Sequence, residues 1–123
     1  GTSRSKYRQA LLDLHASELR AEEAKRELGR QIGRLAEAIA ASRAQETVTI
    51  RLAQACARKL AAAEAGWRLG RTTWTDFAAA RRDALEARSN AWQALAATKA
   101  LESELEARTG TAPERLGWMG EEE

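Results

Sequence analysis

Residues 66–77 read GWRLGRTTWTDF, and how that stretch is taken decides the fold. Into it fall Gly66 and Gly70, Thr72, Thr73 and Thr75, Trp67 and Trp74, and the sole phenylalanine, Phe77, while both flanks are built of Ala, Leu, Arg and Glu. Gly70 follows directly on Trp67 and Leu69, where a helix C-terminus favours a residue free to take positive φ. Thr73, with Asp76 three positions on, has the form of a capping box that opens a second helix, its carboxylate at the positive end of the dipole. A connection this short forces the two helices to run antiparallel. The expectation is an all-α, long antiparallel helical hairpin: a helix over about 6–69, a turn at about 70–74 and a second helix over about 75–108.

The composition agrees. Pro113 is the only proline of 123 residues, and the Ala, Leu, Arg and Glu content is that of long helices, with no room for a sheet. Large apolar side chains are few, so the chain cannot fill a thick core, and close helix pairing, other chains included, must supply the stability. The net charge of +2 arises from 20 basic and 18 acidic residues that alternate along the helices, as in Glu18, Glu22 and Arg26. Such patterning marks solvated helix faces and argues against a nucleic-acid partner. No run approaches the ~18 apolar residues of a membrane span, and no signal peptide opens the chain. Gly1-Thr2-Ser3 reads as a cloning scar, so residues 1–5 are expected to be a scar or a disordered start.

Nothing points to catalysis. Cys56 stands alone in an apolar row, as a small hydrophobe does, and His15 has no second histidine or cysteine at ligand spacing. The glycines of LGRQIGR, Gly29 and Gly33, follow no strand and make no phosphate loop. No nucleophile, base and orienting acid can be assembled, so no enzyme activity, cofactor or metal is expected.

The heptad pattern refines the hairpin. Apolar residues recur at helical steps through Leu28, Ile32, Leu35 and Ile39, and again through Leu52, Cys56, Leu60, Ala63 and Trp67, with the seam interrupted at Ser42 and Glu46. Gly29 and Gly33 each cost about 1 kcal/mol relative to Ala, and are expected either to kink the first helix or to split it into a three-helix arrangement. The second helix carries an unbroken, alanine-rich seam from Phe77 and Ala80 through Ala87 and Ala94 to Leu101 and Leu105, which lets two axes approach closely. A second row on its flank, Leu85, Arg88, Trp92, Leu95 and Lys99, implies a second neighbour, so self-association is expected. Gly110, after Arg108, closes the helix. Thr111, Pro113 and Glu114 suggest one more capped turn before an acidic tail, Glu121 to Glu123. Because the second helix is the shorter, roughly the first thirty residues of the first are left without a partner in the same chain.

At the bend, Thr73 and Asp76 answer to capping, whereas Arg71 and Thr72 do not. Leu69, Gly70, Arg71 and Thr72 are therefore the candidate partner-binding residues, a small glycine letting another helix tip come close while Arg71 offers a donor fork. The stretch WRLGRTTWTDFAAARRDALEAR, Trp67 to Arg88, resembles the hairpin tip of the TolC-type outer-membrane efflux proteins. That family carries an aromatic residue, a glycine three on, then Ser or Thr, then Asp three later; Trp67, Gly70, Thr73 and Asp76 stand at those positions. The following EARSNAWQALAATKALESELEARTG is similar to its closing helix, and KYRQALLD to the start of its long helix. The chain departs from the pattern at Trp67, where Tyr is usual, and at Phe77-Ala78, where Val-Leu is usual, and it contains neither barrel strands nor a first repeat. The resemblance implies a non-catalytic hairpin of a trimeric channel in the Gram-negative outer membrane. Such a hairpin lines the periplasmic α-barrel, its tip docking a periplasmic adaptor, or membrane fusion, protein. The alternative is a stand-alone helical-bundle scaffold mediating protein-protein interaction.

Overall fold

The computed structural model describes residues 1–110 and consists of two helices, α1 (Thr2–Arg68) and α2 (Trp74–Thr109), with no strand among the described residues. The turn expected at Thr111 to Glu114 and the acidic tail Glu121 to Glu123 lie outside them. Two boundaries differ from expectation. The first helix begins at Thr2 and absorbs the supposed disordered start, Ser5 N–H bonding to Gly1 C=O at 3.2 Å. It also runs unbroken through Gly29 and Gly33, neither of which takes positive φ, so the three-helix split is not adopted. Ending a helix orphans up to four carbonyls, a larger loss than the ~1 kcal/mol of an interior glycine.

Residues 1–35 form one compact unit, and a second begins at Ala36. In the first, every residue from 1 to 30 is exposed except the half-buried Glu27. Local polar pairs support the helix here: Arg26 with Glu22 at 3.4 Å, Gln9 with Asp13 at 2.9 Å, and a cluster around Glu27. Glu27 accepts from Arg30 at 3.0 Å and from Gln31 at 3.3 Å, with Arg34 at 3.5 Å. These hydrogen bonds, that of Arg30 foremost, hold its carboxyl below the usual carboxylate range.

The second unit contains the antiparallel hairpin. On α2 the alanine seam lies inward as expected: Ala80, Ala87, Thr98 and Leu105 are buried, and Phe77, Ala84, Ala91, Ala94 and Leu101 are half-buried between them. On α1 the inward row is more regular than the apolar residues alone suggest. From the buried Ile39 it passes through half-buried Ser42, Glu46, Thr49, Ala53, Cys56, Leu60 and Ala63, stepping 3, 4, 3, 4, 3, 4, 3 without interruption. Leu52, read as a seam residue, is 53% exposed, and Ala53 takes its place.

Polar side chains cross the seam because they satisfy one another. The Ser42 and Thr98 hydroxyls share a hydrogen bond at 2.6 Å, and Thr98 Oγ1 lies 3.2 Å from the Ala94 carbonyl, to which it can also donate. One turn away Arg43 binds Glu102 at 2.9 Å. No buried side-chain polar atom among the described residues lacks a partner. The burial is thin, since two of the four buried apolar residues are alanines, and helix propensity and close backbone approach carry much of the stability.

Candidate functional site

The closed end of the hairpin is built by backbone hydrogen bonding. Gly70 takes φ 71°, its N–H bonding to Trp67 C=O at 3.0 Å and that of Arg71 to Gly66 C=O at 2.7 Å. This is the Schellman arrangement, which only a left-handed residue at position 70 permits. Thr72 N–H reaches the same Gly66 carbonyl at 3.2 Å. The backbones of Arg71 and Thr72 thus do serve capping, a role their side-chain types do not disclose.

Across the turn, Thr73 is the N-cap of α2, its Oγ1 accepting from Asp76 N–H at 3.1 Å and its carbonyl from Phe77 N–H at 3.0 Å. The reciprocal half of a capping box, from Asp76 back to the Thr73 N–H, is not made among the described residues. Asp is one carbon shorter than the Glu that closes such a box. Asp76 remains as the acidic residue of the first turn, where the helix dipole favours it. At the far end Gly110, at φ 67°, closes α2 with its N–H on Glu106 C=O at 2.7 Å.

Two features of the tip escape a reading by residue type. The first is Gly66: a Cβ added there would overlap Thr72 Oγ1, so the threonine side chain occupies the space the glycine leaves open. Thr72 is accordingly half-buried. The second is an aromatic cluster in which Trp67 meets Trp74 edge-on at 5.4 Å and stacks on Phe77 at 6.2 Å, with Trp74 and Phe77 5.6 Å apart. It locks the last turn of α1 to the first turn of α2 and accounts for the concentration of aromatics at the bend. The signal was present in the one-turn spacing of Trp74 and Phe77, but only an antiparallel closure brings Trp67 onto that pair.

What the tip offers outward is specific. Leu69 is 67% exposed and Trp74 57% exposed, with Gly70 and Arg71 also on the surface. Arg68 is held by Glu64 at 2.8 Å, whereas Arg71 has no ion pair or side-chain hydrogen bond among the described residues. An apolar pair, an accessible backbone at a glycine and an unengaged guanidinium therefore share one small surface. Of the candidate contact residues, Leu69, Gly70 and Arg71 are presented there, while Thr72 is turned against Gly66. A second surface lies on the flank, a shallow trough of about 460 Å³ lined by Ile50, Ala57 and Leu60 of α1 and by Arg81, Leu85 and Arg88 of α2.

Among the described residues no three His, Cys, Asp or Glu side chains gather as metal ligands, and no helix is long and apolar enough to cross a membrane. Cys56 is a free, half-buried thiol in the seam. Comparison of the chain with protein-family models, curated proteins and solved structures gives no match.

Proposed function

We propose that the chain is a non-catalytic helical hairpin of an outer-membrane efflux channel, contributing to a periplasmic α-barrel and docking a periplasmic adaptor protein through its tip. The observation that carries the reading is the tip itself: a rigid five-residue connection, Leu69 to Thr73, capped on both sides, that exposes Leu69, the Gly70 backbone and an unpaired Arg71. Elements rigidified by capping and ring contacts suit recognition, because little freedom is lost when a partner binds. The resemblance of Trp67, Gly70, Thr73 and Asp76 to the efflux-channel tip supplies the class of partner, the helical hairpin of a periplasmic adaptor. The trough beside Leu85 supports the rival reading, a stand-alone scaffold that binds partners along its flank.

Calorimetric titration with adaptor hairpin domains tests the choice. Arg71→Ala and Leu69→Ser should each weaken binding about tenfold, ~1.4 kcal/mol, with unchanged melting. Leu85→Ser, in the trough, should leave binding as it is. Full binding by both tip variants, or loss on Leu85→Ser alone, sinks the tip reading and favours the scaffold.

A further inference from the structure

Two troughs run along the hairpin seam, alike in size and unlike in chemistry. The first, of about 460 Å³, is lined by residues one position after the seam, Ile50 and Ala57 of α1 with Leu85 and Arg88 of α2. The second, of about 470 Å³, is lined by residues one position before it, Val48 and Leu52 of α1 with Asn90 and Gln93 of α2. One position turns a helix by about 100°, so the troughs mark opposite flanks of the hairpin. Between these flanks α2 sorts its charges. The first flank carries Arg81 and Arg88, while the second carries Asp83 and Glu86, one heptad before Asn90 and Gln93. Arg81, Arg88 and Glu86 have no ion pair or hydrogen bond among the described residues, and Asp83 meets only the adjacent Arg82, at 3.5 Å. The acids of the first flank, Glu64 and Glu102, are taken by Arg68 at 2.8 Å and Arg43 at 2.9 Å. One side of the hairpin is thus apolar and basic, and the other answers it in charge.

We propose that the basic flank of one copy packs on the acidic flank of a second copy of the same chain, both pointing the same way. Like flanks cannot pair, since that would set arginine against arginine or carboxylate against carboxylate. Direction follows from which helix meets which. With both copies pointing the same way, α2 lies on α2 and α1 on α1. Arg81 and Arg88 then meet Asp83 and Glu86 of the other copy, two residues or ~3 Å apart along the axis, within reach of an arginine side chain. Ile50 falls between Val48 and Leu52, apolar side chains that are 42%, 59% and 53% exposed in the single chain. Turning one copy end for end lays α2 on α1, and the arginines then face Val48, Leu52 and Lys59, with no carboxylate to meet. The contact is head-to-tail, so each copy uses both flanks and every copy keeps its tip at the same end. It lies apart from the tip, and either stands if the other fails.

Sedimentation equilibrium of the full chain over a concentration series tests this, with circular dichroism to follow folding. The parent should self-associate. Alone, the basic-flank reversal R81E/R88E and the acidic-flank reversal D83R/E86R should each weaken association about tenfold or more, because each brings like charges together. Mixed in equal amounts they should associate again, since each supplies the charge that the other has inverted. Should a double variant lose helicity, Arg88→Glu and Glu86→Arg, both at exposed positions, read the same interface, weakened singly and recovering on mixing. A parent that stays monomeric overturns the proposal. So do reversals that associate like the parent, or a mixture that stays as weak as its components.

Discussion

At position 66 the absence of a side chain matters as much as any side chain present. Thr72 folds over Gly66, and the Gly66 carbonyl accepts from both Arg71 and Thr72, so one residue closes the turn with its backbone and admits it with its missing Cβ. Glycine inside a helix ordinarily costs about 1 kcal/mol against alanine, and substitution would ordinarily stabilise. Here the sign reverses. Gly66→Ala should destabilise by about 1–3 kcal/mol, through displacement of Thr72. Thr72→Ala in the same background should recover part of that loss, a coupling that a double-mutant cycle of thermal melts will show. Gly70 and Thr73 were readable from sequence because their roles are local: a left-handed cap and an N-cap depend on neighbours within one turn. Gly66 and the ring cluster were not, since both depend on where α2 returns, and residue types carry no trace of that return.

Between the helices, a polar stretch reads in sequence as a break and in three dimensions as a continuation. Ser42, Glu46 and Thr49 interrupt an apolar row but keep the heptad phase, and the phase is what places a residue on the seam. Spacing made the alanine row of α2 plain, because every member was apolar or small. It misassigned Leu52, because hydrophobicity was weighed above phase. Ser42 and Thr98 also give the hairpin a register mark, since slipping one helix by a turn would set the buried Thr98 hydroxyl against Ile39 or Glu46 in place of Ser42. Ser42→Ala should cost about 1 kcal/mol by removing the hydrogen bond that joins the two helices at Thr98. The double variant S42A/T98V, which removes both partners, should lie near the parent in denaturant unfolding and so separate the cost of one hydroxyl left without its cross-helix partner from the worth of the bond. If each single variant and the pair melt with the parent, the hydroxyls carry no register information.

Across the whole molecule, a thin seam inside and apolar residues outside point the same way. Ile50, Leu85 and Trp92 stay exposed beside the hairpin, Leu11 and Leu14 stay exposed near its N-terminal end, and Leu69 and Trp74 stay exposed at the tip. Apolar surface left open to this extent is the kind that interaction sites offer, and the tip is the part of it held by caps and ring contacts on both sides. The all-α hairpin was legible in composition, phase and turn chemistry, all properties of short stretches. The role in binding proposed for the tip rests on which atoms face outward. The most direct test is photo-crosslinking in Gram-negative cells that express the chain in its natural sequence context, with the reactive group placed either at Leu69 or at the exposed Lys99 on α2. The tip position should yield an adduct with a periplasmic adaptor protein and Lys99 should not. An adaptor adduct from Lys99 but none from Leu69, or none from either site, would contradict docking through the tip.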